Sequence, residues 1–93
     1  MYSFLFIYTL KSKEDRDAFL AELLANNIPE ICKAEDGCAL YSYCLPVDCD
    51  NKLYIVESWE SEEKQIRHTK QPHCCVIRGL KNKYGVDSQT VKL

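Results

Sequence analysis

The chain has 93 residues, of which 46% are hydrophobic and 28% charged, and this composition predicts one globular domain spanning 1–93. The net charge of −2 and the absence of a basic stripe argue against binding to nucleic acid or to a membrane surface. No apolar run approaches the roughly 18 residues that a transmembrane helix needs, so membrane insertion is not expected either.

The first predicted element is a strand at residues 3–10, where aromatic and β-branched side chains predominate. Charged residues follow this apolar segment instead of preceding it, which is unlike a secretory signal. A helix is predicted over 12–27, because Ser12 suits an N-cap and Asp15 stands three residues later, as in a capping box. Its apolar face is expected to contain Phe19, Leu20, Leu23, Leu24 and Ile28, which recur at helical spacing.

A proline is expected to reshape the end of this helix. Pro29 should bend or restart it, because proline lacks a backbone donor and crowds the preceding turn. Ile31 and Cys32 are expected to continue the buried face beyond that point. Gly37 is predicted to end the helix as its C′ residue, where a left-handed backbone favours glycine.

The middle of the chain is predicted to form a hairpin followed by a helix. Residues 39–45 and 52–60 are rich in strand formers, and the polar break between them is short enough for an antiparallel turn. Ser61 is predicted to cap the next helix, whose first turn is acidic and therefore suits the helix dipole.

The last elements complete a recognisable order. Pro72 is expected to interrupt the helix and to begin another that runs to about Tyr84, and Gly85 should end it. Residues 88–93 are predicted to form a short final strand. The resulting order, β-α-β-β-α-β, is the split βαβ pattern of a ferredoxin-like α+β domain with a four-stranded antiparallel sheet.

The cysteine content favours a reducing compartment. The six cysteines are Cys32, Cys38, Cys44, Cys49, Cys74 and Cys75. With no secretory context, we expect most of them to be reduced, buried, small apolar residues of a cytoplasmic protein. No C-x-x-C motif is present, which argues against a zinc knuckle or a thioredoxin-type site, although a metal site and a redox role remain as alternatives.

The apolar residues on both faces of two predicted strands indicate that a second chain covers part of the sheet. The segments "FLFIY" (4–8) and "LYIV" (53–56) are apolar on both faces, so both faces of the sheet should be covered. The helices of so short a chain can cover only one face. The simplest solution is a two-fold homodimer in which the sheets pack together, since an exposed apolar patch of that size is uncommon.

Side-chain alternation along the third strand points to a pocket. It places Leu53, Ile55, Glu57 and Trp59 on one face, so Glu57 is a carboxylate among apolar neighbours. Burial of this kind raises the pKa of a carboxyl group. If Glu57 and Trp59 face the helices, His68 and His73 converge with them on a space between sheet and helices.

The segment "EDGCALYSYCLPVDCDNKLYIVESWESEEKQIRHTKQPH" (35–73) resembles the antibiotic biosynthesis monooxygenase domain family. The shared pattern is an acidic residue and a glycine before the second strand, an Asp/Asn-rich turn, a strand ending in Glu-x-Trp-x-Ser, a helical histidine and a Pro-His pair. Its positions here are Gly37, Asp50, Asn51, Glu57, Trp59, Ser61, His68, Pro72 and His73.

This resemblance implies a ferredoxin-like subunit that pairs into a dimeric α/β barrel, with a small-molecule pocket in each subunit. It also implies a monooxygenase that oxidises quinols or phenols with no cofactor and no metal. His68 is the candidate base and His73 a second acid–base group or substrate anchor, while Glu57 would orient a histidine or a substrate hydroxyl. Trp59 would pack on an aromatic substrate, and Tyr41 or Tyr43 would donate a hydrogen bond.

Other functions are compatible with the same pattern. Each candidate side chain also has a purely structural interpretation, which would make the chain a non-catalytic ligand-binding dimer. Family members that degrade haem resemble this chain in a strand tryptophan and a helical histidine, but they use an asparagine in the first strand, and none is found there. An isomerase of a small phosphorylated hydroxyketone would use the two histidines together with a cation such as Arg67 or Lys70.

Overall fold

Four strands and four helices make up the chain, whose computed structural model describes all residues 1–93. The strands are β1 (Tyr2–Thr9), β2 (Cys38–Cys44), β3 (Lys52–Trp59) and β4 (Asp87–Lys92). The helices are α1 (Lys13–Ala25), α2 (Ile28–Lys33), α3 (Glu62–Thr69) and α4 (Pro72–Tyr84). Each predicted strand is found with its ends shifted by at most one residue.

The four strands form one antiparallel sheet in the order β2-β3-β1-β4. The predicted hairpin pairs β2 with β3, while β1 lies between β3 and β4, so the two halves of the chain interleave. This arrangement confirms the predicted ferredoxin-like α+β fold. It also brings β3, which carries Glu57 and Trp59, into the middle of the sheet beneath the helices.

The helix ends follow the predicted capping chemistry with one exception. Ser12 accepts a hydrogen bond from the Asp15 backbone, Ser61 caps α3 in the same way, and Gly85 ends α4 in a left-handed conformation. Helix α2 instead ends at Lys33, so the prediction that Gly37 is its C′ residue is wrong. None of the four helices is both long and apolar enough to cross a lipid bilayer.

The predicted long helix is divided in two. Helix α1 ends at Ala25, Asn27 adopts a left-handed backbone with φ 58°, and α2 begins at Ile28 with Pro29 in its first turn. The restart at Pro29 is therefore confirmed. After this restart, α2 packs on β2.

One face of the sheet carries the core. Along β3 the burial alternates strictly, and Leu53, Ile55, Glu57 and Trp59 are the buried set, as predicted. The helices contribute the facing residues Phe19, Leu23, Ile28, Cys32, Cys74, Ile77 and Leu80. The prediction that Leu24 and Ile31 belong to the buried face is wrong, because they are 55% and 39% exposed on the outer side of α1 and α2.

The other face of the sheet has no helix on it. Its central side chains are Leu5 and Ile7 of β1 and Tyr54 and Val56 of β3, all of them only partly buried. Apolar residues therefore line both faces of β1 and β3, as the sequence predicted, and one of these faces is open.

The cysteines are all free thiols, but the expectation that most of them are buried is wrong. Only Cys32 and Cys74 lie in the core, Cys38 and Cys49 are half-buried, and the remaining two are exposed. The two buried thiols flank the histidines described next, and burial raises the pKa of each of them.

Candidate functional site

A single carboxylate joins the two histidines of the chain. Glu35 Oε2 lies 2.5 Å from Nδ1 of His68 and 2.9 Å from Nε2 of His73. All three side chains are largely buried, with exposed fractions of 7%, 12% and 13% for His68, His73 and Glu35. A carboxylate only accepts hydrogen bonds, so each histidine donates its N–H to Glu35. In the neutral ring of His68 this leaves Nε2 as the proton acceptor.

These three residues lie in separate parts of the chain: a turn after α2, helix α3 and helix α4. Glu35 follows α2 in a turn that ends at Gly37, whose φ of 87° requires glycine and whose position leaves no room for a Cβ beside the Lys64 side chain. The neighbouring Asp36 forms ion pairs with Lys64 and Arg67 of α3 and so fastens this turn to the helix that carries His68. His73 lies in the first turn of α4.

Trp59 packs against the ring of His68 from the side of the sheet. Its side chain has no exposed surface, its ring centroid lies 4.6 Å from that of His68, and the two planes are inclined by 31°. The indole Nε1–H donates to Glu57 Oε1 at 3.0 Å. The indole does face the helices, as predicted, but it is covered by His68, so the structure offers no direct contact between Trp59 and a ligand.

A cavity of about 130 Å³ lies between the sheet and helices α3 and α4. Half of its twelve lining residues are hydrophobic, and they are Phe6, Tyr8, Tyr41, Ile55, Cys74 and Ile77. His68 and Glu57 also line it, so two of the three predicted catalytic residues face the same space. His73, Trp59 and Tyr43 are outside this lining.

Burial sets the protonation of the acidic groups around this cavity. It raises the pKa of Glu57, while the hydrogen bond from Trp59 and the nearby His68 act in the opposite direction. It also raises the pKa of Tyr41 and Tyr43 far above neutrality, so both phenols keep their protons and remain hydrogen-bond donors. Their hydroxyl oxygens are 3.4 Å apart, and Tyr41 is the one that reaches the cavity.

Cys74 occupies the space next to His68. Its Sγ lies 3.7 Å from His68 Nε2 and donates a hydrogen bond to the His68 carbonyl oxygen at 3.1 Å. Burial raises the pKa of this thiol to about 11, so it is a neutral group at physiological pH. Cys74 therefore packs against His68 as a small apolar neighbour without supplying a competing charge.

The same cluster contains the donor set of a metal site. One ligand atom from each of Cys32, Glu35, His68 and His73 lies within 4.8 Å of the others. Zinc bonds of about 2.0–2.3 Å in a tetrahedron hold ligand atoms roughly 3.3–3.7 Å apart. The histidine nitrogens are closer than that to Glu35, at 2.5 and 2.9 Å, which are hydrogen-bond lengths. A metal ion would have to replace both of these bonds.

The structure also shows which residues sequence reasoning overlooked. Glu35 joins the two histidines, and its only sequence signal is its place in the acidic pair before Gly37. Arg78 and Lys81 line the cavity from α4, whereas Arg67, proposed earlier as a cation for phosphate, pairs with Asp36 and Glu63. Lys70, the other cation considered, is exposed and does not line the cavity.

Comparison with solved structures supports this fold over the whole chain. Two structures described as antibiotic biosynthesis monooxygenases superpose on this chain. The one from Deinococcus radiodurans has a TM-score of 0.85 at 20% identity and covers 100% of this chain and 90% of its own. The one from Nitrosomonas europaea has a TM-score of 0.87 at 16% identity and covers 100% of this chain and 96% of its own. SnoaB from Streptomyces nogalater, a cofactor-independent oxygenase, superposes with a TM-score of 0.74 at 14% identity, covering 99% of this chain and 89% of its own. At these identities the likeness establishes the fold.

Sequence comparison adds the family. No curated protein sequence matches the chain. The family profile described as antibiotic biosynthesis monooxygenase matches residues 4–78, a span that contains most of β1, the hairpin, the Glu35 turn and both histidines. The chain therefore belongs to the antibiotic biosynthesis monooxygenase family.

Proposed function

We propose that this protein is a monooxygenase that oxidises a small quinol or phenol without a cofactor. The observation that carries the proposal is the pairing of His68 with Glu35 at the wall of a cavity whose lining is half hydrophobic. A phenol becomes reactive toward dioxygen when it loses its proton, so the reaction needs a base and a site that shelters the anion. His68 Nε2 is that base in our proposal, with Glu35 holding the opposite ring nitrogen.

The reaction balances without any external reductant. His68 takes the phenolic proton, and the electron-rich ring carbon of the phenolate reacts with dioxygen to give a peroxide. Loss of the ring hydrogen and cleavage of the O–O bond then leave one oxygen atom on the ring as a new carbonyl and release the other as water. A phenol and one dioxygen thus give a quinone and water, with His68 returning its proton to the leaving oxygen.

The remaining residues have supporting roles. Tyr41 donates to the developing oxyanion, and Glu57, whose pKa is raised by burial, donates in its protonated form or accepts from a substrate hydroxyl. Trp59 and His73 act as positioning residues, since one packs on the ring of His68 and the other shares its carboxylate. The family assignment and the oxygenase activity named for SnoaB support the same type of reaction.

The cavity is open to solvent on one side, and its inner part accommodates a small ring. Its volume of about 130 Å³ is below the roughly 300–1,000 Å³ of pockets for drug-sized ligands. It is close to the approximately 150 Å³ of an engineered apolar cavity that admits benzene. We therefore propose a single-ring substrate.

Oxygen uptake tests this proposal directly. The purified protein should consume dioxygen with at least one reduced quinone from a panel of hydroquinone, methylhydroquinone and gentisate, above the rate of spontaneous oxidation. Mass spectrometry after reaction under isotopically labelled dioxygen should find one labelled oxygen atom per product. Uptake that yields only hydrogen peroxide, or no uptake with any member of the panel, would count against a monooxygenase and favour the isomerase or ligand-binding functions.

We also propose that the working form is a homodimer of single-domain subunits in the cytoplasm. The open sheet face, with Leu5, Ile7, Tyr54 and Val56 at its centre, would be buried against its copy in a dimeric α/β barrel. Six free thiols suit a reducing compartment. Neither the net charge of −2 nor the helices suggest nucleic acid or a membrane as a further partner.

Placing a charge on the open face should separate the two subunits. We expect Val56→Lys to change the species seen by light scattering from twice the 10.8 kDa chain mass to the mass of one chain. Leu24→Lys is the matched control, since Leu24 is an apolar residue exposed on the helix layer, and it should leave the mass unchanged. A wild-type protein that is monomeric at micromolar concentration would contradict the proposal.

A further inference from the structure

Two cations line the cavity without a carboxylate partner. Arg78 and Lys81 both belong to its lining, and neither forms an ion pair. The guanidinium of Arg78 donates only to the Thr69 carbonyl oxygen at 3.4 Å and to Cys75 Sγ at 3.1 Å. The Lys81 ammonium lies over the Tyr8 ring, 4.8 Å from its centroid, and makes no other polar contact.

Several other cations of the chain form ion pairs, and those without one, such as Lys70, lie outside the cavity lining. Lys83, two residues further along the same helix, pairs with Glu22, and Lys13 and Arg67 pair with aspartates near them. Lys81 is also less exposed than these, and burial, together with repulsion from Arg78, lowers its pKa. A partly buried ammonium without a counter-ion is costly, and such groups concentrate at functional sites.

Helical spacing explains why both cations reach the cavity. Cys74, Ile77, Arg78 and Lys81 lie at positions i, i+3, i+4 and i+7 of α4 and therefore share one face of the helix. The first two contact the core beside His68, and the two cations continue the same face. A ligand held against His68 would thus meet a positive charge along α4.

The only acidic group in the lining does not neutralise these cations. Glu57 is 4% exposed, accepts from Trp59, and has a raised pKa because of its burial. Glu35 is committed to the two histidines. The cavity is therefore positive at α4 although the chain as a whole carries a net charge of −2.

We propose that the cavity selects a single-ring phenol or quinol that carries an anionic substituent, a carboxylate or a phosphate, which Arg78 and Lys81 bind. This inference rests on the proposed function, because it deepens the description of the same substrate site. Arginine suits either anion, since its planar donors match two oxygens at once. Binding the substituent would also orient the phenolic end of the ring toward His68.

Binding measured without turnover tests the inference. Under nitrogen, calorimetric titration should give a dissociation constant for gentisate about tenfold or more below that for its methyl ester, since charge-assisted hydrogen bonds are among the strong ones. Hydroquinone monophosphate against hydroquinone is the second ring-matched pair and distinguishes a phosphate from a carboxylate preference. Equal affinities within both pairs, or no binding of either anion, would overturn the proposal.

Variants locate the effect. Arg78→Gln and Lys81→Met should each reduce the ratio of anion affinity to uncharged-partner affinity, and the double variant should bring that ratio close to one. Lys70→Met is the matched control, because Lys70 is an exposed lysine outside the cavity, and it should retain the full preference. A preference that survives in the double variant would also overturn the assignment.

The readouts separate this inference from the proposed function. Anion-selective binding that depends on Arg78 and Lys81, without oxygen uptake, would leave the anion site in place and remove the monooxygenase. Oxygen uptake with the ester as fast as with the acid, and with equal affinities, would keep the monooxygenase and remove the anion site.

Discussion

Replacing His68 with alanine is expected to lower the turnover number for oxygen uptake by about 10²–10⁴-fold, the usual contribution of a positioned general base. The imidazole lines the cavity, and its Nδ1–H donates to Glu35, so its Nε2 is the ring nitrogen left to accept the substrate proton. The substrate KM should change less, because the ring mainly acts on the proton that leaves during the reaction. Steady-state oxygen uptake with the best substrate of the panel measures both constants.

Two variants provide the controls for this prediction. Glu35→Gln keeps an oxygen that can accept from His68 but removes the charge that stabilises the protonated ring, so it should lower turnover by less than His68→Ala does. His73→Ala should have the smallest effect, since His73 contacts Glu35 and does not line the cavity. Turnover of His68→Ala within twofold of the wild type, in a variant with an unchanged circular dichroism spectrum, would remove His68 as the base.

Much of the fold follows from short-range patterns in the sequence. Ser12 and Ser61 cap their helices as their positions predict, because an N-cap depends on the next three residues only. The alternation along β3 correctly places Glu57 and Trp59 on the buried face, since the period of two is a property of the strand itself. The order of elements then left one common topology, which the sheet confirms.

The site was predicted less completely, because its key contact is long-range. Glu35 is 33 positions from His68 and 38 from His73, and nothing local distinguishes it from Asp36, which instead pairs with Lys64. The complete burial of Trp59 also depends on tertiary packing. The sequence predicts that its side chain lies on the buried face of β3, but it does not predict that the ring of His68 covers the indole. Likewise, Leu24 looks like a core residue by spacing alone, yet α1 turns it outward.

Glu35 connects the stability of the fold with its chemistry. The turn that carries it links α2 to β2, and through the two histidines it contacts both α3 and α4. Hydrogen bonds to a charged group contribute roughly 1.5–3 kcal/mol each, so these two contacts help to fix the helices over the cavity. The orientation of the base and the position of the cavity roof therefore depend on the same side chain.

Of the substitutions proposed for this protein, Trp59→Ala is expected to lower the free energy of unfolding the most. Trp59→Ala removes a side chain with no exposed surface, and substitutions of this kind typically cost about 3–5 kcal/mol. Small domains have a free energy of unfolding of roughly 5–15 kcal/mol, so this loss is a large part of the total. Urea denaturation followed by circular dichroism, at one fixed protein concentration, measures the change in the free energy of unfolding.

Trp59→Phe separates packing from hydrogen bonding. It keeps an aromatic ring against His68 but removes the Nε1–H that Glu57 accepts, so we expect a smaller loss of stability, with Glu57 left as a buried acceptor without its donor. Because the hydrogen bond from Trp59 lowers the pKa of Glu57, its removal should raise that pKa further and extend the protonated form to higher pH. A Trp59→Ala variant as stable as the wild type would mean that the indole is not enclosed between β3 and α3, and the position of His68 at the cavity wall would then lose its support.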